Sequence, residues 1–184
     1  MIPIKPHAYA ELPQDFYNLQ NWQGFDNPLL VIENAELKKD LGLENIDKQK
    51  LLDIFNGSLS IESLKPLSMA YSGHQFGQYV EQLGDGRGLL FGQIDSSEGS
   101  VDIHLKGAGK TPYSRFGDGR AVLRSVIREY LCGEAMHALS IPTSRALMII
   151  GSDEMVIREK SETAAMLART AKTHIRFGNF EYFH

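Results

Sequence analysis

Apolar positions recur at two different spacings along the chain, and the change falls just after residue 70. After an irregular opening, the segments 30–43 (LVIENAELKKDLGL) and 47–57 (DKQKLLDIFNG) place leucine and isoleucine at helical spacing. Each ends in or near glycine, so both predict short helices. Phe16, Trp22 and Phe25 in this part read as core contacts. From Phe76 the period shortens to that of strands. The run 76–83 (FGQYVEQL), a glycine turn at 83–88 (LGDGRG) and the run 88–94 (GLLFGQI) predict a hairpin. A polar loop at 95–100 then leads to the alternating strand 101–106 (VDIHLK). Val101, Ile103 and Leu105 share one side of it, which leaves Asp102, His104 and Lys106 on the side a ligand can touch.

A glycine-rich and basic loop follows at 107–120, and a long helix is predicted from about Arg120 to Leu139. Two further strands, 145–151 and 155–160, flank a turn at Ser152 to Glu154. The segment 161–172 (SETAAMLARTAK) predicts another helix, with Ser161 as its cap.

This order, a glycine turn between strands, a strand ending in lysine, then a helix carrying glutamate, resembles the amino-terminal lobe of a protein kinase. There the glycine turn lies over nucleotide phosphates and a strand lysine, held by a helical glutamate, neutralises them. Lys106 is the candidate lysine, and Glu129 or Glu134 its partner. Helical geometry leaves both open: Glu129 lies beside Val122, Val126 and Gly133, and Glu134 beside Leu123 and Ile127.

Two other phosphate signals fail. Gly109-Lys110-Thr111 ends like a P-loop, but the first glycine of that motif would be His104, and Pro112 follows where a helix should begin. The turn Gly84-Asp85-Gly86-Arg87-Gly88 is not a dinucleotide fingerprint, because Leu89 stands at the last glycine position and a strand follows. The six histidines are scattered singly, so none marks a metal centre.

Charge and glycine point to the same region. The 184 residues carry a formal net charge of −4, but residues 1–100 hold seven basic and fourteen acidic side chains, and the remainder is net positive. Between His104 and Arg128 six cations (Lys106, Lys110, Arg115, Arg120, Arg124, Arg128) face one acid, Asp118. An anion site and a solvated basic face both account for that. Eleven of the 17 glycines fall between Gly73 and Gly119, where backbone can approach a ligand closely. The single cysteine, Cys132, permits no internal disulfide and suits a reducing compartment, which with no signal-peptide core points to the cytoplasm. No stretch is long and apolar enough to span a bilayer.

The segments 70–88, 104–131 and 168–183 together resemble the selenoprotein O family (SelO/YdiU), and the likeness extends loosely to 28–43. The resemblance implies a kinase-like fold and transfer of AMP from ATP to protein hydroxyl groups, with the nucleotide flipped so that its γ-phosphate is buried. By resemblance, Gly84, Gly86, Arg87, Lys106, Asp118, Gly119, Arg169 and Arg176 line the nucleotide site, and Glu129 is chosen as the partner of Lys106. Both position the nucleotide; no catalytic residue and no metal ligand is expected within the chain. The catalytic aspartate and the ligands of Mg²⁺ or Mn²⁺ are expected beyond residue 184.

The expected fold class is therefore α+β: a kinase-like amino-terminal lobe of antiparallel sheet plus a long helix, truncated before the catalytic lobe. An N-terminal helical extension (1–70), the nucleotide-binding lobe (71–160) and the incomplete start of a second lobe (161–184) make up the chain. The expected partners are ATP and proteins with Ser, Thr or Tyr hydroxyls, with no nucleic acid and no membrane. Transfer of UMP from UTP and a non-catalytic nucleotide-binding module are the alternatives. Nucleic-acid binding through 104–128 is disfavoured by the acidic balance of the chain and by the want of aromatic residues between those cations.

Overall fold

A computed structural model describes residues 2–96 and 99–184; part of the polar loop expected at 95–100 lies outside them. In chain order the elements are β1 (Ile4–Lys5), β2 (Tyr17–Leu19), β3 (Leu29–Glu33), α1 (Ala35–Asp40), α2 (Lys48–Asn56), β4 (Leu67–Met69), β5 (Gly73–Gln75), β6 (Gln78–Val80), β7 (Gly88–Ser96), β8 (Gly99–Lys106), β9 (Ala121–Val122), α3 (Leu123–Ala138), β10 (Arg145–Ile157), β11 (Ser161–Ala171) and α4 (Phe177–Tyr182). One antiparallel sheet runs in the order β2-β4-β7-β8-β11-β10-β3, with β1 joined to β7 and β9 to β11. The α+β class is as expected.

Helices cover both faces of the sheet. On one, Leu37 and Leu41 of α1 and Leu51, Leu52 and Phe55 of α2 pack with Phe91, Ile103, Leu105, Ile150 and Met166. On the other, Val126 of α3 packs with Ala146, Ile149, Ala165 and Leu167. Alternate residues of β11 thus enter different layers, and its centre is apolar on both sides, as in any strand covered twice.

That double burial explains the largest correction. The segment 161–172 is not a helix capped by Ser161 but strand β11, paired with β10 and β8. Its Ala, Met and Leu residues favour helix in isolation, and the sheet environment overrides that preference. The turn expected at Ser152–Glu154 is instead an irregularity inside the single strand β10, with a register shift between Gly151 and Met155.

Two other readings change. Of the helix expected at 30–43, residues 30–33 are strand; Asn34 is the N-cap, its side chain accepting from the Leu37 amide at 3.1 Å, so α1 starts after it. The hairpin expected between 76–83 and 88–94 does not form. β6 pairs with β5 through a tight turn at Phe76-Gly77, and β7 pairs with β8, β4 and β1. Phenylalanine at a turn position gives no turn signal, which is why the shorter hairpin is hidden.

The described residues 2–70 supply four strands besides α1 and α2, and all four, β1 to β4, are hydrogen-bonded into the main sheet. The boundary expected at 160/161 falls in the β10–β11 turn, so residues on both sides of it share one sheet.

A buried carboxylate ties distant segments to β8. Asp102 accepts from His7 Nε2 at 2.8 Å, from Gln93 Nε2 at 3.0 Å and from the His174 amide at 2.8 Å. It is 1% exposed, so it holds the fold and does not share the ligand-facing role suggested by its place on the strand. Burial alone raises a carboxyl pKa, but the bonds from His174, His7 and Gln93 outweigh it and hold Asp102 below the usual carboxylate range. The unfolded chain then binds the extra proton first as pH falls. The stabilisation from Asp102 is complete above the unfolded carboxyl's pKa and is lost as pH drops towards the folded one.

We expect Asp102→Ala to cost about 3 kcal/mol, because three donors lose a buried acceptor, and to lower Tm by about 6–12 °C. The deficit should begin to narrow between pH 5 and pH 3 in thermal melts, because the unfolded wild-type chain takes up a proton at residue 102 that the folded chain does not.

Candidate functional site

The site lies on the α3 face of the sheet, at the ends of β8 and β11. Strand register pairs Arg169 with His104 and Leu167 with Lys106, so the side chains of His104, Lys106 and Arg169 come forward together. Glu129 projects from α3 to meet them. One carboxylate oxygen is paired with Lys106 Nζ, and the other accepts from Arg169 Nη1 at 2.9 Å. The choice left open between two glutamates is thereby resolved in geometry: Glu134 is bound elsewhere, to Arg145 Nη2 at 2.7 Å.

Burial lowers the pKa of the Lys106 ammonium, an effect that pairing with Glu129 offsets in part. Burial likewise pulls the Arg169 guanidinium down, and raises Glu129 until the hydrogen bond and charge of Lys106 and the charge of Arg169 bring it below its usual range. Three ionised groups in contact leave one net positive charge at this corner. His104 has its pKa pulled down to about 3 by burial and by the Arg169 charge, so it is neutral at physiological pH.

These residues open into a cavity of about 710 Å³. Its lining includes all eight residues expected for a nucleotide site: Gly84, Gly86, Arg87, Lys106, Asp118, Gly119, Arg169 and Arg176. Seven cationic side chains line it, Arg115, Arg120 and Arg158 being the other three, against two acids, Asp85 and Asp118. The glycine turn is held against the end of β4 by hydrogen bonds from the Gly84 amide to the Tyr71 carbonyl at 3.1 Å and from the Asp85 amide to the Met69 carbonyl at 3.0 Å. Asp85 points inward, and one carboxylate oxygen accepts from the Met69 amide at 3.1 Å. Arg176 lies with its guanidinium 5.1 Å from the centre of the Tyr71 ring.

Of the six clustered cations, Lys106, Arg115 and Arg120 line the cavity. Arg120 is partly engaged, its Nε and Nη2 on Glu154 at 3.0 and 2.9 Å, and Arg124 pairs with Glu162 outside the cavity. The basic run is therefore part anion site and part ion-paired surface. Arg158 went unnoticed in the sequence. It reaches back from the end of β10 to bind Asp118 at 2.6 and 2.9 Å, and a lone arginine near a hairpin turn carries no sequence signal for that.

An excess of cations around a pocket of this volume, on an α+β scaffold with a lysine and an arginine held by one glutamate, is an arrangement chemically suited to a polyanion. A family model described as "Protein adenylyltransferase SelO" matches residues 5–184, and the chain belongs to that family. It is 54% identical over 177 residues to "Protein nucleotidyltransferase YdiU" of Vibrio parahaemolyticus, covering 96% of this chain and 36% of the relative. A protein of the same description from Myxococcus xanthus is 50% identical over 181 residues, covering 97% of this chain and 37% of the relative. The chain thus spans a little over a third of the length of these relatives. Among the described residues no helix is long and apolar enough to cross a membrane.

Proposed function

We propose that this chain is the nucleotide-binding part of a protein adenylyltransferase, built like the amino-terminal lobe of a protein kinase. It holds ATP while AMP is transferred to hydroxyl side chains of protein substrates. The observation that carries the reading is that Lys106 and Arg169, linked to each other through Glu129, line a cavity together with the glycine turn, Arg87 and Arg176. Lys106 and Arg169 neutralise phosphate oxygens, Glu129 fixes where those cations point, and the backbone of Gly84, Gly86 and Gly119 lets the phosphates approach closely.

In this reading Arg169 and Arg176 hold the terminal phosphates inward, so that the α-phosphate is presented to the acceptor hydroxyl. Mg²⁺ or Mn²⁺ would accompany the nucleotide, but the acids lining the cavity do not fit that ion. Asp85 is buried on the Met69 amide, and Asp118 is bound to Arg158. UMP transfer from UTP is the second reading; the relatives' description as nucleotidyltransferases names no base.

The test compares ATP with AMP. Arg169→Ala and Arg176→Ala should each weaken ATP by about tenfold or more and leave AMP nearly unchanged, since AMP lacks the groups they hold. Equal losses for the two ligands in titration calorimetry would remove these arginines from the phosphate site.

A further inference from the structure

Two phenylalanines stand at the mouth of the cavity with almost no cover: Phe76 is 94% exposed and Phe116 98% exposed. Both line the same hollow as the cations. Backbone that a bulky residue rarely adopts lies at one ring and beside the other. Phe76 itself has φ +54° in the turn between β5 and β6, and Arg115, next to Phe116, has φ +52°. Strain of this kind persists where surrounding structure enforces it, often at ligand clamps.

The two tips are joined to each other and to the glycine turn. Arg115 Nη1 donates to Gln75 Oε1 at 3.2 Å, which links the Phe116 loop to the Phe76 hairpin. Thr111 Oγ1 donates to the Asp85 carbonyl at 2.7 Å, and Ser114 Oγ donates to the Gly86 carbonyl, which fixes the Phe116 loop against the turn. The Lys106 and Arg169 side chains are only 19% and 15% exposed, so these two cations lie deep, while the two rings stand at the rim beside the exposed Arg115.

We propose that Phe76 and Phe116 are the nucleobase grip of this site. This rests on the nucleotide reading above and adds to it the part that recognises the base. A nucleoside triphosphate has one anionic end and one flat, uncharged end. With its phosphates drawn to the deep cations, its base is left at the rim, where the rings can stack on it. Stacking is tolerant of base identity, because every base has a π-face. The grip therefore accepts adenine and uracil, and favours adenine for its larger ring.

The experiment uses two probes on this chain: ATP, and inorganic tripolyphosphate, which has the charge and no base. Phe76→Gly is the informative variant, because glycine suits the positive φ of the turn and leaves the hairpin intact while removing the ring. Phe76→Gly and Phe116→Ala should each weaken ATP about tenfold and change tripolyphosphate by less than about twofold. Phe76→Trp should restore ATP binding. Unchanged ATP affinity in both variants overturns the proposal while the nucleotide site stands; so does an equal loss for both probes, which would mean that the loops had moved. Rings that matter only for the KM of a protein substrate overturn it too. A wild-type chain that binds neither probe removes the nucleotide reading, and the proposal with it.

Discussion

Lys106→Ala is expected to weaken ATP binding by about 10²-fold and, in the full-length enzyme, to reduce AMP transfer by a further large factor. The reason lies in the local charge balance. Lys106 and Arg169 share Glu129, so the three groups carry one net positive charge. Without Lys106, Arg169 and Glu129 neutralise each other and this corner of the cavity has no net charge to offer a phosphate. Glu129→Gln should act in the opposite direction on affinity. It leaves two cations at this corner, so polyanion binding holds or tightens, while transfer falls because nothing fixes where those cations point. A titration and an activity assay on the two variants separate these effects. Similar affinity losses in both would mean that Glu129 acts through the integrity of the fold; an unaffected Lys106→Ala variant would place the phosphates elsewhere.

The elements that alternation or spacing marks clearly were legible in the sequence. β8 reads directly from its alternating residues, and α3 forms within three residues of the expected ends. Where one stretch of sequence serves two layers, the pattern fails. The apolar run of β11 is buried on both faces and so has no polar alternation to mark it as a strand. This had a consequence for the site. On a helix, Arg169 reads as a surface charge; on β11 it stands beside His104, facing the cavity. The basic run and the glycine concentration marked the right region without separating cavity cations from ion-paired ones. That distinction depends on Glu154, Glu162 and Arg158, contributed from 34 to 40 residues further along the chain. The three bonds to Asp102 join segments as far as 95 residues apart, and no local pattern encodes them.

Gly119→Ala is expected to damage both stability and binding, and a comparison with Gly42→Ala isolates why. Both glycines have positive φ, +74° and +66° respectively. A Cβ on Gly42 meets nothing within 4 Å, so alanine there costs only backbone strain, about 1 kcal/mol. A Cβ on Gly119 would lie 2.1 Å from the carbonyl carbon and oxygen of Gly109, and backbone cannot swing aside as a side chain can. Gly109 is itself bound there, its amide donating to the Gly119 carbonyl at 3.2 Å. Alanine must therefore part the two loops and lose that bond, for about 3 kcal/mol or more, which in a chain of this size lowers Tm by about 6–12 °C. The same displacement shifts Asp118 and, through its two bonds, Arg158 at the cavity wall. Gly119→Ala should thus weaken ATP as well, and Gly42→Ala should not. Thermal melts and ATP titrations on the pair decide it: matching small Tm losses, with ATP affinity intact in both, would mean that the loops at 107–112 and 117–120 separate without cost and that their close approach is not needed to shape the site.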